Sequence, residues 1–224
     1  MGHRAFKKRV YPQFARIGQA LASDRRLELV DLLAQAPRHV EALAEETEMS
    51  VANVSQHLQV LKQARLVESD KAGTRVVYRL ADPSVLRLWL SLRSVAERRL
   101  PEVGLIAQEH AIAGAGGATQ PSDAAVSGAR KGEVFLIDVR PSEEFAHGHL
   151  PGATSFPPEE LEWRIDELPR DRPIVAYCRG SYCLFADEAV ALLRNRGFDA
   201  HRLDGGWVEW HAEHGTKRPR RSVA

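Results

Sequence analysis

The stretch Ile174-Val175-Ala176-Tyr177-Cys178-Arg179-Gly180-Ser181-Tyr182-Cys183 decides how the second half of the chain is read. Its opening residues are apolar and include two β-branched side chains, which predicts a short buried strand. A loop with Gly and Ser follows. Leu184, Ala186, Ala189, Val190, Leu192 and Leu193 then recur at helical spacing to Asn195, and Gly197 is a stop signal. Cys178 therefore falls where a strand ends and a loop feeds a helix. Backbone N–H groups of such a loop, with the positive end of the helix, form an anion cradle. A thiol held there is expected to have a lowered pKa and to react as thiolate, and Arg179 pushes the same way. The alternative is a core cysteine closing a strand.

Working outward, Val134 to Arg140 reads as a strand that ends in charges, and Pro141 to Phe145 opens a helical turn. His147 to Ala153 is a turn-rich loop, and Ala153 to Phe156 a short strand. Leu161 to Leu168 has helical spacing. His201 to Leu203 is a last short strand, with Asp204-Gly205-Gly206-Trp207 as a turn before Glu209-Trp210-His211. Strands alternating with helices imply a parallel sheet covered on both faces, with active loops at the strand C-terminal ends. Asp138, Arg140 and Cys178 all fall at such ends.

The first half reads differently. Of the 224 residues, 44% are hydrophobic, and the net charge of +1 hides an asymmetry. Residues 1–112 carry 17 basic and 13 acidic side chains, and residues 113–224 carry 14 and 17. The basic half is the one to search for nucleic-acid binding. Val10, Phe14, Ile17 and Leu21 mark one helix, and Asp24 caps a second that carries Leu27, Val30, Leu33 and Ala34. A short helix follows from Val40 to about Thr47. Glu48-Met49-Ser50 makes a turn into a helix from Val51 to about Ala64, whose core stripe is Val51, Val54, Leu58 and Leu61. Its other face shows Asn53, Ser55, Gln56, His57 and Gln59. This is a helix-turn-helix pattern, and amide side chains on the second helix suit adenine. Leu66 to Asp70 and Thr74 to Leu80 flank Lys71-Ala72-Gly73 as a hairpin, with Lys71 and Arg75 near its tip to meet phosphates or a minor groove. A solvated helix face and a solvated basic hairpin are the alternatives. From Asp82-Pro83-Ser84 a long helix is expected to run to about Ile112. Its stripe of Leu88, Leu92, Val95 and Leu100 is longer than one small domain can bury. That predicts pairing with the first helix in a two-fold dimer, or burial against the second half.

The order of helices, the stretch SVANVSQHLQVLKQARL (residues 50–66) and the wing ending VVYRL resemble the ArsR-type winged-helix repressors over residues 10–110. The resemblance implies a homodimer on double-stranded operator DNA that leaves it when an effector binds. Many members bind metal through cysteines in the helix-turn-helix, but VEALAEETEMS has none. Glu109 and His110 are adjacent, so they point to different helix faces. No metal sensing is expected. The second half resembles the rhodanese family over residues 122–214, through IDVR (137–140), EEFAHGHLPGA (143–153), the Cys178 loop and DGGWVEW (204–210). The resemblance implies that Cys178 attacks a sulfur donor, becomes a persulfide and passes the outer sulfur to a thiol acceptor. It makes Arg179, Gly180, Ser181, Tyr182 and Cys183 the rest of the anion-binding loop. Asp138 and Arg140 match a charged pair near the first strand end, read here as an ion pair that orders loops. His149 fits the motif, and Trp207 and Trp210 are expected in the core. The sixth loop position, where thiosulfate-using members often carry Arg or Lys, is Cys183, so a small-molecule persulfide rivals thiosulfate as donor. The two loop thiols could join if geometry allows.

The expected architecture is thus a mainly-α winged helix-turn-helix domain (1–112), a Gly/Ala-rich linker (113–122), an α/β rhodanese-like parallel sheet with helices on both faces (123–214) and a basic tail (215–224). Two cysteines exclude a secreted disulfide framework and a four-cysteine zinc site. The opening residues lack the apolar run of a signal peptide, and no run approaches membrane-spanning length. A cytoplasmic regulator that needs no cofactor is expected. The alternative is a sulfurtransferase whose winged helix serves only for dimerisation or localisation.

Overall fold

The computed structural model describes residues 3–109, 115–116 and 119–215. The chain divides into two compact units, the first ending at Val95 and the second beginning at Ala96.

The first unit contains α1 (His3–Leu21), α2 (Asp24–Gln35), β1 (Arg38–His39), α3 (Val40–Glu46), α4 (Val51–Gln63), β2 (Val67–Ala72), β3 (Arg75–Leu80) and most of α5 (Pro83–Arg99). Leu29, Val30, Leu43, Val54, Leu58 and Leu61 meet in one core. The turn between α3 and α4 passes through Glu48 at φ 53, and Ser50 caps α4 by accepting from the Asn53 amide at 3.2 Å. Strands β2 and β3 form the expected hairpin around Gly73, at φ 63. A third strand joins them without a sequence signal: β1 pairs antiparallel with β3, giving the order β1-β3-β2. Val51 departs from the expected stripe. It lies in the first turn of α4 and is 47% exposed, while Val54, Leu58 and Leu61 are fully buried.

The expected helix to Ile112 is broken. Helix α5 stops at Arg99, and α6 (Pro101–Glu109) starts again after Leu100. Pro101 has no N–H to continue the ladder, and its ring disfavours a helical residue before it. Trp89 of α5 packs on the first core and donates Nε1–H to Asp31 at 2.7 Å, whereas Leu88, Leu92, Val95 and Leu100 are exposed.

The second unit continues with β4 (Gln120–Pro121), α7 (Ser122–Lys131), β5 (Phe135–Asp138), α8 (Ser142–His147), β6 (Thr154–Ser155), α9 (Pro158–Leu161), a 3-10 turn (Ile165–Glu167), β7 (Ile174–Cys178), α10 (Phe185–Asn195), β8 (Ala200–Gly206) and α11 (Trp207–His214). The five strands run parallel in the order β4-β8-β7-β5-β6. Alternation along β7 sorts the layers. Ile174, Ala176 and Cys178 face a core shared with α9 and α10, while Val175 and Tyr177 face one shared with α7, Trp207 and Trp210. Gln120 and Pro121, placed by sequence in the linker, form an edge strand on β8. Asp204, Gly205 and Gly206, read as a turn, extend β8 itself. His110 and the tail from Lys217 to Arg221 lie outside the described residues.

Candidate functional site: the Cys178 loop

Cys178 closes β7 and is 1% exposed. The loop then folds back on itself, with the Cys183 amide donating to Gly180 O at 3.2 Å, and α10 begins at Phe185. Gly180 adopts φ 146, which a side chain rarely allows. Below the loop runs the end of β8, where a Cβ at Gly206 would collide with Cys178 O and stand 2.8 Å from Gly180 N. Only glycine fits there, which explains that position of the DGGW stretch.

Both cysteines are free thiols, and each weighs on the ionisation of the other. Amides of Gly180 and Ala186 point at the Cys178 sulfur, and amides of Arg179 and Phe185 at the Cys183 sulfur. The cradle therefore exists, but two sulfurs share it. The Cys178 thiol also has carbonyl acceptors in reach, Cys183 O at 3.1 Å and Gly180 O at 3.7 Å. Acceptors favour the protonated thiol, as does burial. The expected lowering of the Cys178 pKa is thus reversed: burial, with the neighbouring Cys183, pushes it up. Cys183, which is only partly buried, is brought down to about 7, chiefly by the hydrogen bond from Cys178 and then by the loop amides and Arg179.

Arg179 does not act on Cys178 as expected. Its guanidinium turns to Glu144, with Nε and Nη2 donating to Oε1 at 2.8 and 2.5 Å. Glu144 is fully buried, although Glu143-Glu144 looks in the sequence like an ordinary solvated helix start. On its other side lies Arg140, 3.9 Å away, which is held by Asp138 at 2.6 Å and donates to Gly148 O at 2.7 Å. Tyr177 accepts from the Leu150 amide at 3.0 Å, and its ring lies under the Arg140 guanidinium, 5.7 Å from the centroid. Asp138 and Arg140 therefore sit in a buried network that knits the strand ends together, apart from the sulfurs. Arg202 is a second residue that sequence reasoning missed. Its Nη2 donates to Gly180 O and Ser181 O at 3.2 and 3.1 Å, which fixes these loop carbonyls in place. Ser181 and Tyr182 are exposed. His149 stacks on Phe145 with ring centroids 3.9 Å apart, and Trp207 stacks on Trp210 and His211.

In the first unit Asn53, Gln56 and Gln59 are exposed along α4, with Ser55 and His57 half-buried. Lys71 and Arg75 are exposed on the wing. Arg79 is engaged with Glu68 and Asp70 on the paired strand. Among the described residues, no group of three or more His, Cys, Asp or Glu side chains could hold a metal ion.

Two family models match the chain. A rhodanese-like domain covers residues 123–213, and the arsR family of bacterial regulatory proteins covers residues 23–69. An HTH-type transcriptional regulator of Mycobacterium tuberculosis is 44% identical over 209 residues, covering 91% of this chain and 89% of its own. The chain belongs to the ArsR family of regulators and carries a rhodanese domain. This regulator is also 36% identical over 84 residues to a sulfurtransferase of Allochromatium vinosum, covering 37% of this chain and 76% of that one. A homodimeric winged helix-turn-helix fragment from Mycobacterium bovis, solved by NMR, is 44% identical, covers 45% of this chain and 91% of its own, and has a TM-score of 0.42. Among the described residues, no helix of this regulator is long and apolar enough to cross a membrane.

Proposed function

We propose that this transcriptional regulator takes up sulfane sulfur as a persulfide on Cys178, and that the loaded and unloaded forms differ in affinity for operator DNA. The observation that carries this reading is the joining, in one chain, of a helix-turn-helix regulator to a strand-end cysteine whose sulfur faces amide N–H groups. Such donors suit a persulfide anion. The donor is thiosulfate or a small-molecule persulfide, and a thiol is the acceptor. Cys183 at the sixth loop position offers no cation to a doubly charged donor, which favours the persulfide. Asn53, Ser55, Gln56, His57 and Gln59 would face bases in the major groove, and Lys71 and Arg75 the phosphates. The exposed stripe Leu88, Leu92, Val95 and Leu100, with Phe6, Tyr11 and Phe14 of α1, supports a homodimer. The protein would work in the cytoplasm. The linker would lie within residues 113–122.

Fluorescence anisotropy with duplex DNA from the region upstream of its own gene tests the coupling. Treatment with an alkyl persulfide is expected to change the affinity of wild type and leave Cys178→Ser unchanged. Equal affinities for loaded and unloaded wild type would sink the sensing role. The similarity to a sulfurtransferase favours a second reading, in which the domain turns over sulfur catalytically. That reading requires many turnovers per chain with a thiol acceptor, abolished in Cys178→Ser.

A further inference from the structure

Cys178 and Cys183 stand at the two ends of one loop, and the fold brings Cys178 Sγ to 3.1 Å from the carbonyl oxygen of Cys183 itself. Three features hold them there. The Cys183 amide is tied to Gly180 O, Arg202 fixes the carbonyls of Gly180 and Ser181, and Gly206 leaves room for the loop to press onto β8. The two side chains differ in access. Cys178 Sγ lies under α10 in the core, and Cys183 lies at the surface side of it, partly exposed. A disulfide needs the sulfurs to close to about 2.0 Å, so the loop need only tighten over a contact it already makes.

We infer that Cys183 is a resolving thiol, which converts a persulfide on Cys178 into a Cys178–Cys183 disulfide and expels the outer sulfur as hydrogen sulfide. This rests on the proposed loading of Cys178. An alkyl persulfide, RSSH, gives its outer sulfur to Cys178 and leaves as the thiol RSH. Cys183 thiolate then attacks the inner Sγ of the Cys178 persulfide. The Sγ–Sγ bond forms, the bond to the outer sulfur breaks, and HS− departs with the electron pair. The dithiol loses two electrons, and the sulfane sulfur is reduced to sulfide. No other oxidant takes part. Cys183, with its pKa of about 7, is in good part thiolate at neutral pH; it accepts the proton of Cys178 as Cys178 attacks and passes it to the departing RS−, which restores the thiolate for the second step. The loop would thus record exposure to persulfide as a covalent bridge, and a cellular dithiol reductant would reset it.

The test uses the full chain, treated with an alkyl persulfide under argon. Trypsin cuts after Arg179, between the two cysteines, so a disulfide would hold two otherwise separate peptides together. Wild type is expected to lose two hydrogens in intact mass, to yield the linked peptides, and to release sulfide in step with them. Cys183→Ser is expected to keep a one-sulfur adduct and yield no linked peptides. Wild type that keeps the added sulfur without linked peptides would overturn the resolving role while leaving loading intact. An absence of adduct on Cys183→Ser together with unlinked, unloaded wild type would overturn the loading itself. Should Cys183→Ser fold poorly, the wild-type peptide linkage and sulfide release decide the question alone.

Discussion

Glu144 is enclosed by Arg140 and Arg179, and its charge is the hinge of the network under the loop. Removing one partner of a buried pair leaves the others unmatched, at about 3–5 kcal/mol. Glu144→Ala is expected to lower the urea midpoint of the second unit, followed through Trp163, Trp207 and Trp210. An unchanged midpoint would mean that the charges are not coupled to the fold. The sulfurs obey a separate rule. Because Cys183 titrates at about 7, its thiolate fraction rises as pH rises through that value. Alkylation by iodoacetamide, read on the tryptic peptide 180–194, should reach half its plateau rate at a pH of about 7 and fall away in acid. Cys178→Ala, which removes the donor, should move the midpoint up, because the hydrogen bond from the Cys178 thiol is the main influence on Cys183. A midpoint that stays in place would contradict that hydrogen bond.

At the scale of elements, backbone contact governs the site. Gly206→Ala would drive a methyl group into Cys178 O and the Gly180 amide. The expected result is a displaced loop, a destabilisation of about 1–3 kcal/mol and loss of sulfur uptake, measured by intact mass after persulfide treatment. Wild-type uptake would show that β8 does not brace the loop. Much at this scale was legible in the sequence. The hairpin has its Gly73 turn, α4 its Ser50 cap, and β7 its apolar run into a loop and an amphipathic helix. What escaped has physical causes. Strand β1 has two residues and so no periodicity, and α7 is built on small side chains such as Ala125 and Gly128. Pro101 carries the signal for the break between α5 and α6, and the expectation of one helix to Ile112 runs through it. In the site, the cradle could be inferred from strand, loop and helix order. The raised pKa of Cys178 could not, because its causes are burial, the neighbouring thiol and main-chain carbonyl acceptors that no residue type announces. Glu144 and Arg202 escaped for a related reason: their burial is set by elements remote in sequence.

For the molecule as a whole, the exposed stripe on α5 and the basic wing carry separate consequences. Leu92→Glu combined with Val95→Glu should turn a dimer into a monomer in light scattering and remove DNA binding with it. A dimer that persists would place the interface elsewhere. Lys71→Ala with Arg75→Ala should weaken DNA binding evenly across sequences. It should also flatten the plot of log affinity against log salt by about 0.9 for each phosphate no longer neutralised. An unchanged slope would remove the wing from the interface.

The rhodanese sheet ends on both sides in strands of two residues, Gln120–Pro121 at one edge and Thr154–Ser155 at the other. Short edges, one of them carrying a proline that cannot donate, offer a poor template for a stray strand. A loop that loosened on taking up sulfur, as proposed, would thus uncover little strand edge for a second molecule to join, and fibril seeding from the loaded domain is not expected.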